Sequence, residues 1–283
     1  MSSVYPPRQA VRDSVARALA EDIGALGDVT ASLILVDHRV TAAIVAREEG
    51  VLAGCAAATE VFNQVDPALE VRWLADDGHE VSPGLTVAHV EGPLTSMLTA
   101  ERTALNFLQH LSGVASTTRR WVRATQGKAR IWDTRKTTPG LRALEKAAVR
   151  AGGGANHRGS LSDFVMVKDN HLTGITIEQA VRRARLHWPG RTVEVECDTH
   201  DQVREAVGAG ADLVLLDNMS PQEVGACVST VAGRCLVEVS GGITIDTLTQ
   251  YLDLGVDLIS AGSITNSAPA LDIGLDIEIA GQA

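Results

Sequence analysis

The sequence predicts an α/β fold whose second half is a barrel or a near-closed relative of one. Two observations carry this. From Ala129 onward, six short runs, "ARIWD", "DFVMVKD", "TVEVECD", "DLVLLDN", "CLVEVS" and "DLISAG", alternate with helical segments, and strand–helix alternation implies a parallel sheet. Several runs carry Val, Ile and Leu with little alternation, as expected of strands covered on both faces. So many units favour a closed or nearly closed sheet over an open doubly wound one. No GxGxxG follows the first strand, which argues against a dinucleotide-binding fold.

The half before Ala129 mixes sheet and helix without that beat. "RQAVRDSVARALAEDIG" carries Val11, Val15, Ala18 and Leu19 at helical spacing and predicts an amphipathic helix. "RVTAAIVAREEGVLAG" reads as a strand, a turn and the start of a helix running to about Val65. "EVRWLADDGHEVSPGLTVAHVEG" reads as two strands joined by a turn through Asp76, Asp77 and Gly78. The long helical region from Pro93 to Thr125 is expected to split into two helices near Ser112 and Gly113, with Pro93 in the first turn. In the second half, "LRALEKAAVRAG", "TIEQAVRRARLHW", "HDQVREAVGAG", "PQEVGACVSTVAG" and "TIDTLTQYLDLG" are the helical segments.

Composition narrows the function classes. The chain has 283 residues, 45% hydrophobic and 21% charged, with a formal net charge of -10. That charge repels phosphate at long range and argues against a general nucleic-acid or anionic-membrane binder. Cys55, Cys197, Cys227 and Cys235 form no CxxC pair and read as reduced, mostly buried thiols. Cys197 and His200 lack the further ligands that a zinc site needs. "MSSVYPPRQAVRD" has no apolar run of the signal-peptide kind, and no apolar stretch reaches the roughly 18 residues needed to span a bilayer. The expectation is a soluble, cytoplasmic protein.

Against that acidic background one segment is basic. From Arg130 to Lys168 there are eight Lys and Arg against three Asp and Glu, plus His157. Polar residues sit where each predicted strand stops: Asp133 to Lys136, Lys168 to Asn170, Glu196, Asp217 with Asn218, Ser240 to Gly242, and Gly262 with Ser263. The C-terminal ends of barrel strands converge on one face, where the chemistry of such folds lies. Arg135, Lys136, Arg158 and Lys168 are therefore expected to meet in one pocket. Clustered cations repel one another, so the cluster makes sense if an anion fills it, Arg matching carboxylate and Lys suiting phosphate. Lys146 and Arg150, on a helix, are expected to be solvated. Glu196 and Asp217 can hold Mg²⁺ with retained waters, accept hydrogen bonds from ribose hydroxyls, or balance the lysines. "EVSGGI" and "SAGS" end the last two strands, and their Gly residues allow a close backbone approach to phosphate.

These residues resemble the quinolinate phosphoribosyltransferase family over nearly the whole chain. "ALAEDIGALGDVT" is similar to that family's N-terminal segment and "LTAERTALNFLQHLSGVA" to its central helix. "DTRKTTPGLRALEKAAVRAGGGANHR" followed by "VKDNH" is the most specific part, with "VEVE", "LLDN", "EVSGG" and "DLISAGSIT" following in the family's order.

The resemblance implies a type II phosphoribosyltransferase architecture. Residues 1–112 would form an N-terminal α/β sandwich domain joined by the tail 268–283, and residues 113–267 an incomplete, TIM-like α/β barrel. The implied activity is phosphoribosyl transfer from phosphoribosyl pyrophosphate to the ring nitrogen of quinolinate, with decarboxylation. The products are nicotinate mononucleotide, pyrophosphate and CO2, a step of NAD biosynthesis, with Mg²⁺ as cofactor. Quinolinate contacts would come from Arg102, Thr134, Arg135, His157, Arg158 and Lys168. Phosphoribosyl pyrophosphate would meet Arg47, Lys136, Glu196, Asp217, Ser240, Gly241, Gly242, Gly262, Ser263 and Asn266. Lys136, Lys168, Glu196 and Asp217 would carry the chemistry, the two carboxylates holding Mg²⁺ directly or through water. The family forms homodimers, alone or assembled further, in which Arg102 is donated across the interface and Arg47 approaches from the partner. One departure stands out: the family's "THS" after the last barrel strand is "TNS" here, with Asn266 in place of His, which implies a weaker phosphate contact.

Two rivals remain at this point. A phosphoribosyltransferase for nicotinate or another ring monoacid would need fewer cations than Arg102, Arg135, His157 and Arg158 provide. A non-catalytic anion or nucleic-acid binding module would be expected to interleave aromatics with its cations, and the basic stretch does not.

Overall fold

The computed structural model describes residues 4–34 and 38–278. They group into two units: the described residues up to Arg119 with Thr137–Gly153 and those from Ile264 onward, and Arg120–Lys136 with Gly154–Ser263.

The first unit is built on α1 (Arg8–Ile23), β1 (Arg39–Ala46), β2 (Gly50–Val51), α2 (Cys55–Val65), β3 (Glu70–Trp73), β4 (Glu80–Val81) and β5 (Thr86–Pro93). Val11, Val15 and Leu19 of α1 are buried, as their spacing predicts. A four-stranded sheet has the order β12-β1-β5-β3, with β12 formed by Ile273–Glu278, and every pairing in it is antiparallel. The alternation of "RVTAAIVA" follows from this: Val40, Ala42, Ile44 and Ala46 of β1 are buried, one face against the core and the other half-covered. The expected pair of strands in "EVRW…VEG" is instead three, because the Asp76–Gly78 turn leads into β4, which pairs with β2 rather than β3.

α3 (Leu94–Ala124) runs unbroken for 31 residues, so the expected break at Ser112 and Gly113 is corrected. Those small residues are sites of close approach. Ser112 Oγ donates to the Ala53 carbonyl (3.1 Å) and accepts from the Ala53 N–H (2.9 Å). A Cβ on Gly113 would collide with the Pro269 carbonyl. α4 (Arg142–Ala151) belongs to this unit and is buried almost all round. The expectation that Lys146 is solvated is corrected with it, while Arg150 remains half-exposed. Lys146 is 6% exposed, and Arg150 donates to the Tyr5 carbonyl at 3.1 Å.

All six predicted barrel strands form: β6 (Arg130–Trp132), β7 (Val165–Val167), β8 (Val193–Cys197), β9 (Leu213–Asp217), β10 (Leu236–Ser240) and β11 (Leu258–Ser260). They make one parallel sheet in the order β6-β11-β10-β9-β8-β7. The first strand pairs with the last, while β6 and β7, consecutive in the chain, are its two edges. This is an incomplete barrel.

Three connections are helices that begin where the sequence supplies a reciprocal cap: α5 (Ile177–His187) at Thr176 and Gln179, α6 (His200–Gly208) at Thr199 and Gln202, and α7 (Pro221–Val231) at Ser220 and Glu223. Each cap satisfies backbone N–H groups that a helix start leaves bare. "TIDTLTQYLDLG" forms only the single 3₁₀ turn Leu248–Tyr251 rather than a helix. A short α8 (Ser263–Asn266) follows β11. Among the described residues, no helix is long and apolar enough to cross a membrane.

Candidate active site

Parallel register decides which side chains share the inner face of the six-stranded sheet. Met166 aligns with Glu194 and Glu194 with Leu213; Glu196 aligns with Leu215, Leu215 with Glu238, and Asp217 with Ser240. Paired residues in such a ladder point the same way and alternate ones point opposite. The other face is aliphatic, with Val193, Val195, Cys197, Val214, Leu216, Val237, Val239 and Ile259 all buried. One face thus holds the layer together and the other carries polar chemistry.

The polar face opens into a cup of about 390 Å³, a volume that suits small ligands. Thr134, Arg135 and Lys136 line it after β6, with Lys168 after β7, Glu196 on β8, Asp217 on β9 and Ser240 on β10. His157 and Arg158 line it from the segment before β7, and Met166, Leu215, Glu238 and Ser260 complete the wall. The expected gathering of Arg135, Lys136, Arg158 and Lys168 around one cavity is therefore observed.

Local structure explains how each group is held. The Lys136 N–H donates to Thr134 Oγ1 at 2.9 Å, making a tight turn straight after β6. Asp133, fully buried at the end of that run, accepts the His157 N–H at 2.8 Å and Asn156 Nδ2 at 2.6 Å. The basic run is thereby tied back to the strand that begins it. The His157 ring meets Trp132 edge-on (centroids 5.2 Å apart) and Phe164 at 5.0 Å, and the Arg158 guanidinium stands 5.8 Å from the Phe164 ring centre.

On the opposite wall Lys168 Nζ donates to Glu196 Oε2. Asn218, at φ 55°, donates from Nδ2 to Asp217 Oδ2 at 2.7 Å and from its backbone N–H to the Ser240 carbonyl at 3.1 Å. Gly241 follows at φ 87°, and a Cβ there would collide with Asn218 Oδ1. A side chain at position 241 is excluded on both counts. A Cβ on Gly262 would come within 2.8 Å of Lys136 Cδ, so this second Gly turn also packs on the cup.

The electrostatics of the cup are unbalanced. Burial, and then repulsion from Arg135, draws Arg158 below the usual guanidinium range. Two like charges have been brought together with the barrel at their backs. Burial raises Glu194, and burial followed by the Glu194 charge raises Glu238, both above the ordinary carboxylate range. Glu196 and Asp217, at the mouth, offer two hard oxygen donors on neighbouring strands. That donor set fits a Mg²⁺ that keeps waters and takes further oxygens from a phosphate substrate.

Three expected site residues belong to the first unit: Arg47, Arg102 and Asn266. All three are exposed. Arg47 Nη2 donates to Asp276 Oδ1 at 2.9 Å, and Asn266 Oδ1 accepts from Ser267 Oγ at 2.8 Å. Reading strand ends alone missed Glu194, Glu238 and the bracing role of Asn218. The signal for the two glutamates was present as a carboxylate inside each apolar run, "VEVEC" and "LVEVS".

Family models described as "Quinolinate phosphoribosyl transferase, N-terminal domain" and "Quinolinate phosphoribosyl transferase, C-terminal domain" match residues 28–112 and 114–276. The chain is 42% identical over 267 residues to the "Probable nicotinate-nucleotide pyrophosphorylase (carboxylating)" of Bacillus subtilis, covering 93% of this chain and 92% of that one. With the "Nicotinate-nucleotide pyrophosphorylase (carboxylating)" of Mycobacterium leprae it shares 39% over 276 residues, 95% of this chain and 97% of the other. Among solved structures, the nicotinate-nucleotide pyrophosphorylase of Francisella tularensis superposes with a TM-score of 0.93 at 40% identity, covering 98% of this chain and all of that one.

Proposed function

The chain belongs to the quinolinate phosphoribosyltransferase family, and we infer that its polar cup transfers phosphoribosyl from phosphoribosyl pyrophosphate to the ring nitrogen of quinolinate. Decarboxylation follows, giving nicotinate mononucleotide, pyrophosphate and CO2 for NAD biosynthesis. The single observation that carries the assignment to this cavity is the convergence of Arg135, Lys136, Arg158 and Lys168 on one small cup, where burial and then Arg135 draw Arg158 down. Such a cluster is relieved by a multiply anionic ligand, and both substrates are multiply anionic.

Each residue then has a task that follows from its chemistry. Arg135 and Arg158 fork onto the pyridine carboxylates, beside Thr134 and His157, and Lys168 adds a point charge once substrate draws it from Glu196. These contacts turn the ring nitrogen toward C1′ of the ribose, and orientation alone lowers a barrier of this kind substantially. Lys136 faces the departing pyrophosphate and offsets its growing negative charge from a position set before reaction. Glu196 and Asp217 accept from ribose hydroxyls and would hold Mg²⁺, directly or through water. When bound, the ion adds positive charge on the leaving pyrophosphate oxygens. Ser240, Gly241, Gly242, Gly262 and Ser263 present backbone around the 5′-phosphate. After transfer the positively charged quaternary nitrogen stabilises the carbanion left on the adjacent ring carbon as CO2 departs, and a proton from solvent then takes the place of the lost carboxyl, so no nucleophilic side chain is required.

The same reading gives Arg102, exposed on α3, to the cup of a partner subunit in a homodimer, and brings Arg47 toward the pyrophosphate from that partner. It places the enzyme in the cytoplasm, in keeping with four free cysteines.

One assay tests this: purified protein with quinolinate, phosphoribosyl pyrophosphate and Mg²⁺, followed for pyrophosphate and CO2. Equimolar release of both is expected, with none when Mg²⁺ is chelated. Turnover of nicotinate without turnover of quinolinate would overturn the substrate assignment.

A further inference from the structure

Around His157, in the wall of the cup and behind it, lie two glutamates to which no role has yet been given. Glu194 stands two residues before Glu196 on β8, and Glu238 two residues before Ser240 on β10, so both project to the inner face. Both are 0% exposed and His157 is 7% exposed. His157 Nε2 lies 3.1 Å from Glu194 Oε2 and 3.8 Å from Glu238 Oε2. One polar atom from each of the three residues lies within 4.8 Å of the other two. Glu194 Oε1 and both oxygens of Glu238 lack a partner in good hydrogen-bond geometry.

Two ionised carboxylates so close would repel each other, an arrangement that buried charges avoid; Arg158 and Lys168 offset the charge of Glu194, whereas Glu238 has only His157 and the Ser260 hydroxyl to do so. A single proton resolves the inventory. Placed on Glu238, it makes that residue neutral and gives it an O–H to donate toward Glu194. Glu194 stays ionised and accepts from His157 Nε2–H. Glu238, the residue whose two oxygens are both without partners, is the natural holder of the proton. A carboxylate on one nitrogen of an imidazole fixes ring orientation and hydrogen placement, as carboxylate partners of histidine do elsewhere. With Nε2–H committed to Glu194, the ring is held in one orientation between Trp132 and Phe164.

We propose that Glu194 and Glu238 are positioning residues for His157: a protonated Glu238 steadies Glu194, and Glu194 fixes the imidazole in the attitude that meets quinolinate. The proposal rests on His157 being a quinolinate contact. A divalent cation held by the same three side chains would satisfy the same atoms and is the competing account that the experiment decides.

The test is steady-state kinetics on the intact enzyme with both substrates varied. Glu238→Leu is expected to raise the KM for quinolinate at least about fivefold while the KM for phosphoribosyl pyrophosphate stays within about twofold. Glu238→Gln, which keeps a donor of the same shape, should recover most of that loss. Glu194→Gln should behave like Glu238→Leu. A merely structural role would move both KM values and kcat together and would show no rescue by Gln, overturning the proposal.

His157→Ala separates the two levels of inference. If it leaves the quinolinate KM unchanged, the reading of His157 is wrong. If it raises that KM and Glu238→Leu does not, the reading stands and the proposal falls. Should Glu238→Leu fail to fold, infrared difference spectra of wild type against Glu238→Gln decide the matter. A protonated-carboxyl band lost in the variant supports the proposal, and its absence in the wild type, or stoichiometric metal lost with Glu238→Gln, overturns it.

Discussion

The antiparallel sheet of the first unit and the parallel sheet of the second treat their buried faces in opposite ways. In β1 the buried positions are Val40, Ala42, Ile44 and Ala46, and Arg39, Thr41, Ala43 and Val45 alternate with them on a face that is only half-covered and carries no buried charge. The parallel sheet buries both faces, yet its inner one carries Glu194, Glu196, Asp217 and Glu238. Apolar side chains there would have served stability better, because buried charges return little net energy even when paired. The difference teaches where selection for function overrode selection for stability: local rules fail on one face of one sheet, and the failures cluster around a cavity. Substitutions in the two sheets should accordingly separate stability from turnover.

The largest expected effect is on stability. Ile44 is fully buried between Leu275 on β12 and Ala88 on β5, so Ile44→Ala should destabilise the protein by about 2–5 kcal/mol. Denaturant titration would measure this. In whatever fraction remains folded, the KM values should be those of the wild type, and a shift in the quinolinate KM would break the proposed separation.

Next in size are the cup residues, with the reverse signature. Arg135→Ala or Lys136→Ala should lower kcat/KM at least about tenfold, equivalent to 1.4 kcal/mol, without lowering the melting temperature. Near-normal turnover would remove these residues from the mechanism. A large loss of stability would mean that the cup is as much a structural core as the other sheet.

The parts of the molecule that the sequence made legible are those governed by short-range rules. Alternation in "RVTAAIVA" and apolar runs such as "DLVLLDN" predict strands because side-chain direction has period two. Thr176, Thr199 and Ser220 mark helix starts because their hydroxyls and the residues three positions on can satisfy bare N–H groups. What stayed hidden depends on distant partners. Gly113 reads as a helix break, yet it lies in the middle of α3 because the Pro269 carbonyl passes against it, 156 residues away in the chain. Lys146 reads as surface because Lys is usually solvated, but its helix is covered nearly all round. Glu194 and Glu238 were visible as charges within apolar strands. Their significance was not, since it comes from meeting His157 across two intervening stretches of chain.

The smallest expected effect concerns a residue of the first unit that the family resemblance assigns to the second unit's chemistry. Asn266 ends the four-residue α8, is exposed, and shares a hydrogen bond with Ser267. The family resemblance implies His where this chain has Asn. Asn can donate to phosphate as a neutral amide, whereas a protonated imidazole adds charge, and charge-assisted hydrogen bonds exceed neutral ones by about 1 kcal/mol. Exposure lets water and salt screen much of that difference. Asn266→His should therefore lower the KM for phosphoribosyl pyrophosphate by only about two- to threefold. The gain should shrink as salt is added and as pH rises through the titration of a solvated imidazole, near 6.5, because only the protonated ring carries the extra charge. The quinolinate KM should stay unchanged. A KM for phosphoribosyl pyrophosphate equal to that of the wild type at pH 6 would mean that position 266 makes no phosphate contact, and the cup's own Gly turns after β10 and β11 would then account for phosphate recognition without help from the first unit.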